Sequence, residues 1–390
     1  MKAFPSFAPT EPGEVDLLVI AGEASGDEHG SLLVEDLLSQ RPQTRVCSLG
    51  GPCIESSGAS LLFNLVEHSV VGIFEVLRNY GFFRKLLEET LAWIERSKPK
   101  AVLLIDYPGF NLRLAAAMRQ KGISAKGGGE IRVLQYVSPQ LWAWKPKRRF
   151  EMEKTLDGLA AIFPFEPEHY RDVDLPVAFV GHPFARPDYA PPVRYEENGP
   201  LVLLPGSRVQ PVERILPPFL DACENLVPQF PELEALVPVP DDKIRDLAEG
   251  LLKERENLVG RVSIKGAKEG ITARAALMSS GTMSLACALA GIPGAIAYRA
   301  HPITYFLGRM LVKVPHLGMA NLLLPDDPPY EEFLQGRATG RNLAAAVSPF
   351  LESVSGHEPF RESARLILDC LSQPSARGLV EWLVQEGRLN

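Results

Sequence analysis

The chain is predicted to be an α/β protein with two Rossmann-like domains facing a cleft. Three observations predict this. Short runs of branched apolar residues recur, each ending in Gly, Pro, Ser or Asp and followed by an amphipathic helical segment, the alternation that builds a helix-covered parallel sheet. The alternation pauses at Arg186-Pro-Asp-Tyr-Ala-Pro-Pro-Val-Arg-Tyr-Glu-Glu-Asn-Gly-Pro200, which reads as a linker, and then resumes. A length of 390 residues suits two or three domains, each with enough chain for a sizeable core. The expected division is 1–190, 200–345 and a helical tail 346–390 that returns to the first domain.

Composition narrows the class. The hydrophobic fraction is 46% and the charged fraction 23%, as in soluble globular proteins. A net charge of −7 argues against general nucleic-acid binding. Cys47, Cys53, Cys223, Cys287 and Cys370 are scattered without a C-x-x-C or metal spacing and read as reduced thiols of a cytoplasmic chain. The N-terminal stretch lacks the apolar core of a signal peptide, and no run approaches the roughly 18 apolar residues of a spanning helix. Any membrane contact is therefore expected to be peripheral.

Taken in order, Val15–Ala21 is the first strand and Gly22-Glu-Ala-Ser-Gly-Asp-Glu-His-Gly30 its glycine loop. The glycines do not fall in the G-x-G-x-x-G spacing, which disfavours a dinucleotide site. A helix bearing Leu32, Leu33, Leu37 and Leu38 on one face follows, then strands at Arg45–Gly51 and Ser60–Phe63. Residues 70–87 mix aliphatic and aromatic clusters with Arg78, Arg84 and Lys85; the pattern fits either a helix packed on a sheet or a surface lying on an anionic bilayer. Ala101–Asp106 is a buried strand ending on a carboxylate. Ligands of open parallel sheets bind outside the carboxyl ends of strands, so Asp106 is either a proton acceptor in the cleft or a turn-forming residue. Ile131–Val137 leads into Ser138-Pro-Gln-Leu-Trp-Ala-Trp-Lys-Pro-Lys-Arg-Arg149. Tryptophans beside cations suit an anionic amphiphile or an interface, or else a part-buried pair with solvated neighbours. Leu159–Phe163 and Val177–Val180 complete this half, and His182 behind them is either structural or catalytic.

The second half alternates Leu201–Leu204, a helix Val212–Leu226, Leu236–Val239, a helix Asp242–Glu254, Val262–Ile264, Ala276–Met278 and Ala295–Tyr298. Met278-Ser-Ser-Gly-Thr-Met-Ser-Leu-Ala-Cys-Ala-Leu-Ala-Gly-Ile-Pro293 reads as strand, turn, helix. Ser280 or Thr282 is expected to cap the helix, with Gly281 letting the backbone approach a ligand. Its N-terminus suits a phosphate, but the field supplies only about 0.3–1 kcal/mol, so a cation should assist. Leu204-Pro-Gly-Ser-Arg208 supplies one, and Ser207 with Arg208 completes a candidate diphosphate site. Each motif taken singly is also an ordinary strand-to-helix turn. Arg299–Lys313 is apolar and basic, Asn321 is expected in a turn before a hydrophobic run, and the chain beyond Pro329 reads as helical.

These motifs together resemble lipid-A-disaccharide synthase, an inverting glycosyltransferase of the GT-B type. The resemblance spans nearly the whole chain. It rests on Ala21-Gly-Glu-Ala-Ser-Gly-Asp27, Val71-Gly-Ile-Phe-Glu-Val-Leu77, Ile105-Asp-Tyr-Pro-Gly-Phe-Asn111, Tyr136-Val-Ser-Pro-Gln-Leu-Trp-Ala-Trp144, Phe163-Pro-Phe-Glu166, Val180-Gly-His182, Leu204-Pro-Gly-Ser-Arg208, Ser280-Gly-Thr282, Tyr298-Arg299 and Asn321-Leu-Leu323. It implies transfer of 2,3-diacylglucosamine from its UDP-activated form to the 6-hydroxyl of 2,3-diacylglucosamine 1-phosphate, at the inner face of a Gram-negative inner membrane. Asp106 then becomes the base. Ser207, Arg208, Ser280, Gly281, Thr282 and Asn321 hold UDP and the donor, with Gly22, Glu23, Ser25 and Gly26 on the opposite wall. Val71, Ile73, Phe74, Val76, Leu77, Phe82, Phe83, Arg84, Trp142, Trp144 and Arg148 face acyl chains, lipid phosphate or bilayer. Each acyl methylene withdrawn from lipid costs about 0.8 kcal/mol, so such an enzyme must meet the membrane.

No metal or other cofactor is expected; Asp172-Val-Asp174 has the Asp-x-Asp form but lies outside the cleft motifs. A homodimer is expected if the Arg299–Lys313 segment or the C-terminal helices pack on a second copy. The sequence departs from the family at Ala286, where a Glu is usual, and at Arg186, where an acid is usual. Losing a charge-assisted bond to the nucleotide ribose removes roughly 1.5–3 kcal/mol. The competing readings are thus a weakened relative that binds glycolipid or UDP-sugar without efficient turnover, and a UDP-N-acetylglucosamine 2-epimerase-like enzyme, which the greasy segments disfavour.

Overall fold

The computed structural model describes residues 7, 10–68, 80–267, 270–300, 314–372 and 378–389. The chain divides into two compact units, residues 1–183 with 373–390, and residues 184–372.

In the first unit the apolar runs become β1 (Leu17–Ala21), β2 (Val46–Gly50), β3 (Ser60–Asn64), β4 (Ala101–Ile105), β5 (Arg132–Tyr136), β6 (Gly158–Ala161) and β7 (Val177–Phe179). They form a parallel sheet of order β3-β2-β1-β4-β5-β6-β7. Every residue of β1, β2 and β4 is buried, which is why these strands read as continuous apolar runs without alternation. Helices α1 (Ala24–Gln40), α2 (Pro52–Ser56), α3 (Tyr80–Ser97), α4 (Pro108–Gln120) and α5 (Arg149–Thr155) connect them. Trp93 and Ile94 of α3, Leu114 and Met118 of α4, and Leu159 of β6 lie in one hydrophobic cluster. The register pairs Ala21 with Ile105 and Ile105 with Tyr136, so Gly22, Asp106 and Val137 emerge side by side at the carboxyl ends.

The second unit repeats the plan. β8 (Val193–Tyr195) and β12 (Ile271–Ala273) form a small parallel pair. β9 (Leu201–Leu204), β10 (Ala235–Val239), β11 (Val262–Gly266), β13 (Ala275–Ser279), β14 (Gly294–Tyr298) and β15 (Glu331–Leu334) form a parallel sheet of order β11-β10-β9-β13-β14-β15. Its helices are α6 (Val209–Leu226), α7 (Asp242–Lys253), α8 (Thr282–Leu289), α9 (Met319–Leu323), α10 (Gly340–Glu352) and α11 (Glu358–Leu371). Phe219 and Leu220 of α6 share a core with Leu343 and Val347 of α10. Helix α12 (Leu379–Gly387) belongs to the first unit, where Trp382 is buried beside Gly158 and Arg132 Nε donates to the Glu386 carbonyl at 2.8 Å.

Two expectations fail in the second unit. β15 occupies a segment expected to be helical, because Glu331-Glu-Phe-Leu334 buries only Phe333 at the sheet edge and lacks a strand's apolar run. β8 lies inside the expected linker, where Val193 is its one buried residue.

Asp27 shows how the loop after β1 is held. Its carboxylate, buried, accepts N–H groups from Gly51 at 2.7 Å, Cys53 at 2.9 Å and Ile54 at 3.3 Å, tying α1 to the start of α2. The Asp27→Ala variant is expected to lose about 2–3 kcal/mol of stability. A lower urea midpoint at unchanged slope in equilibrium unfolding checks this.

Candidate active site

At the carboxyl edge of the first sheet, three residues other than glycine adopt positive φ: Asp106 at 43°, Tyr107 at 45° and Val137 at 67°. A β-branched valine there is strained, and such conformations persist only where surroundings over-determine them. Two fully buried amides do so. Asn111 Nδ2 donates to the carbonyls of Ile105 at 3.2 Å and Asp106 at 2.8 Å. Gln135 Nε2 donates to those of Val137 at 3.2 Å, Tyr136 at 3.3 Å and Asp106 at 3.4 Å. Asp106 itself is half-buried. Neither amide was singled out from sequence; Asn111 closes the Ile105–Asn111 motif, which was the available signal.

The glycine loop corrects an expectation. Gly22 is buried, and a Cβ on it would fall 2.2 Å from the Tyr107 ring, so the position is small to admit that ring and its own surface is covered. A Cβ on Gly26 would meet Ala21 and Ile105 Cγ2 at ordinary contact distance, so Gly26 lets α1 lie close on the sheet and is buried there. Glu23 and Ser25 are half-buried, and the Glu23 charge reaches Tyr107, whose hydroxyl is pushed up by burial and then by that charge.

Behind this edge lie His29, His182 and Glu166. The His29 ring is 6.4 Å from His182 and 6.5 Å from Tyr136, and His182 is 5.1 Å from Phe163. Burial pushes His29 down to about 4 and His182 down to about 3, the latter also lowered by its neighbour, so both are neutral imidazoles at pH 7. Buried Glu166 accepts the Ile162 and Phe163 N–H groups at 3.1 and 3.0 Å, and burial pushes its carboxyl up to about 8.

Trp142 is half-buried and meets Phe165 edge-on at 5.6 Å, whereas Trp144 is exposed with Lys145 Nζ 4.1 Å and the Arg148 guanidinium 6.0 Å from its ring centre. Desolvation lowers Arg148 from its ordinary value. Phe82 and Phe83 are half-buried against the core, Phe82 stacking on His68 at 4.9 Å, and Arg84 pairs with Glu88 at 2.9 Å. Val71, Ile73, Phe74, Val76 and Leu77 lie outside the described residues, as does most of Arg299–Lys313. Asp172 pairs with Arg149 at 2.6 Å, and among the described residues no group of three His, Cys, Asp or Glu is placed to hold a metal.

In the second unit β9 pairs directly with β13, so the Pro205–Arg208 turn and the Ser279–Thr282 turn leave adjacent strands. A Cβ on Gly206, whose φ is 117°, would come 3.6 Å from Ser279 Oγ. Ser207, Arg208, Gly281 and Thr282 are exposed and Ser280 is half-buried. The expected cap is absent: Gly281 is the N-cap of α8, without a side-chain hydrogen bond, and neither Ser280 nor Thr282 closes its first turn. Among the described residues no side chain caps its leading N–H groups, and Arg208 stands one strand away at the start of α6. Asn321 is a second correction. It is fully buried within α9, not in a turn, and its amide donates to the Tyr330 carbonyl and Glu332 Oε1, both at 2.8 Å, while its oxygen accepts the Tyr330 N–H at 3.0 Å. That side chain braces β15 and the residue before it.

The sequence profile described as lipid-A-disaccharide synthetase matches residues 17–374. The chain belongs to the lipid-A-disaccharide synthase family. It is a glycosyltransferase, a hexosyltransferase of lipid A biosynthesis, with lipid A precursor sugars and a UDP-sugar as substrates. The lipid-A-disaccharide synthase of Coxiella burnetii (strain Dugway 5J108-111) is 33% identical over 350 residues, 86% of this chain and 89% of that protein. The one from Anaeromyxobacter sp. (strain K) is 34% identical over 373 residues, 92% and 94% of the two chains. Among solved structures, the glycotransferase of kitacinnamycin superposes with TM-score 0.59 at 13% identity, covering 97% of this chain and 100% of that one. UDP-GlcNAc 2-epimerase from Neisseria meningitidis bound to UDP-GlcNAc gives TM-score 0.56 at 11% identity, covering 91% and 98%. These likenesses show the fold class, shared by GT-B glycosyltransferases and UDP-GlcNAc 2-epimerases. No described helix is long and apolar enough to cross a membrane.

Ala286 is fully buried in α8, and that helix carries no carboxylate. Arg186 pairs with Asp188 at 2.9 Å.

The two histidines set a pH dependence. Their folded values lie below the usual 6.5, so the unfolded chain binds protons first and stability falls as pH drops from 6.5 toward 4 and 3. Each imidazole contributes at most about 1.4 kcal/mol per pH unit in that window. His29→Gln should shallow the acid-side fall in unfolding free energy, measured by urea titration at stepped pH.

Proposed function

We propose that the chain joins UDP-2,3-diacylglucosamine to 2,3-diacylglucosamine 1-phosphate, giving the disaccharide 1-phosphate and UDP with inversion. The first unit binds the acceptor and supplies Asp106; the second binds the UDP portion. Asp106 takes the proton of the acceptor 6-hydroxyl, whose oxygen attacks the anomeric carbon as its bond to UDP breaks. Negative charge develops on the leaving diphosphate, and the α8 N-terminus with Arg208 and Ser207 stabilises it. The observation that carries this reading is the pairing of β9 with β13, which sets an exposed arginine turn beside a helix whose first turn has no side-chain cap.

The acyl chains bring the enzyme to the inner face of the inner membrane as a peripheral protein. The Trp144–Arg148 loop, with an exposed indole beside Lys145 and Arg148, is suited to lipid phosphate and headgroups. Residues 71–77 are assigned to the same contact by their sequence pattern, and a homodimer forms if the Arg299–Lys313 segment or the C-terminal helices pack on a second copy.

Ala286 favours a second reading, a relative that binds UDP-sugar with weak turnover, because its methyl group cannot bond a ribose hydroxyl. Purified protein incubated with both acylated substrates in detergent decides between them. Disaccharide and UDP released over many turnovers support the transferase; UDP binding without disaccharide supports the binder. Asp106→Asn is expected to lower kcat by about 10²–10⁴ while UDP binding persists. Arg208→Ala should lower kcat about 10²–10³ and weaken UDP binding, read by the same assay and by calorimetry. Full turnover in Asp106→Asn removes Asp106 as the base.

A further inference from the structure

The Phe163-Pro-Phe-Glu166 motif is left without a role by the transfer reading, yet Glu166 is among the most enclosed acids of the first unit. It is 2% exposed in the turn after β6, and its Oε2 accepts the Ile162 and Phe163 N–H groups. Three neighbours surround this turn. The Trp142 indole N–H lies close enough to favour the charged carboxylate, yet is buried and completes no hydrogen bond of ordinary geometry. Tyr170, whose hydroxyl meets Ser138 Oγ at 2.8 Å, feels the charges of Glu166 and Arg148. Asp106 is near enough for its charge to disfavour ionisation of Glu166. His182 faces Phe163 of the same turn, and its neutral ring adds no charge.

We propose that Glu166 is a positioning residue for the transfer: through Trp142 and the Ile162–Phe163 turn it sets the geometry of the strand-end loops around Asp106. The proposal rests on the reading of Asp106 as the base. With its carboxyl raised by burial to about 8, Glu166 is neutral at pH 7. Above that pH a buried negative charge appears in this turn and must be resolvated. The turn can do this only by opening, which shifts Trp142 and disorganises the acceptor side. Glutamine at 166 keeps an oxygen to accept both N–H groups and cannot ionise.

The test compares wild type, Glu166→Gln, Glu166→Ala and Asp106→Asn in the two-substrate detergent assay at pH values on both sides of 8. Wild-type kcat is expected to fall above about pH 8. Glu166→Gln should keep most of the neutral-pH kcat and lose that alkaline fall. Glu166→Ala should lose about tenfold or more in kcat at every pH, with KM for the UDP-sugar unchanged. A second readout does not need turnover: the fluorescence difference between wild type and Trp142→Phe should titrate near 8, and the same difference on the Glu166→Gln background should not. An unchanged alkaline fall in Glu166→Gln overturns the proposal, as does full kcat in Glu166→Ala. Should Glu166→Ala not fold, Glu166→Gln and the fluorescence titration carry the test. Normal turnover in Asp106→Asn removes the base reading instead, while the titration still shows whether Glu166 governs the Trp142 loop.

Discussion

A parallel sheet buried on both faces satisfies its own hydrogen bonds everywhere except at the ends of its strands. Where β4 and β5 finish, the carbonyls of Ile105, Asp106 and Val137 leave the ladder inside a water-poor interior, and an unmatched carbonyl there costs about 1–3 kcal/mol. Asn111 and Gln135 meet that demand from the side, each giving one NH₂ group to several carbonyls. Because those carbonyls are held, the chain can turn through left-handed conformations at Asp106, Tyr107 and Val137, which otherwise cost of order 1–3 kcal/mol each. The direction of the Asp106 side chain is thereby set by backbone and buried amides together. Tyr107, turned by the same strain, lays its ring over Gly22 and joins the ends of β1 and β4.

What could be read from sequence divides along the same line. Strands buried on both faces declare themselves as apolar runs, so β1, β4 and β9 were legible to within two residues, and the strand-end rule then pointed to Asp106 and Arg208. The edge strand β15 lacks that signal, since it buries Phe333 alone, and its pattern reads as helix. The glycines were legible as places needing a small residue, but not for what fills the space; at Gly22 it is the Tyr107 ring, 85 positions later in the chain. Glu166, His29 and Gln135 were not singled out because their surroundings are made by sheet order, which brings β1, β4, β5 and β6 together across long stretches of chain. Asn321 was assigned to the donor through its motif, and its three hydrogen bonds to β15 and the residue before it show why polar identity in a motif does not reveal which way the side chain is spent.

The helix ends carry the argument one step further. In the first unit α1 and α4 follow β1 and β4; in the second α6 and α8 follow β9 and β13. These are the adjacent central strands of each sheet, where the strand order reverses and ligands of such folds bind. None of the four helices has a side-chain hydrogen bond at its N-cap. Two helices that start elsewhere carry side-chain caps: Asp241 accepts the Ile244 N–H for α7 at 2.9 Å, and Thr339 accepts the Asn342 N–H for α10 at 3.3 Å. The Glu332 carboxylate takes the Leu317 and Gly318 N–H groups before α9, and Asp27 takes three N–H groups at the start of α2. A cap contributes about 1 kcal/mol, stability that the chain gains at α7 and α10 and forgoes at these four helices, as it does at α5, α11 and α12. The open N–H groups fall on the strands whose ends bear Asp106, Arg208 and the Ser280–Thr282 turn, and in a glycosyltransferase the group that needs such donors is the anion that leaves.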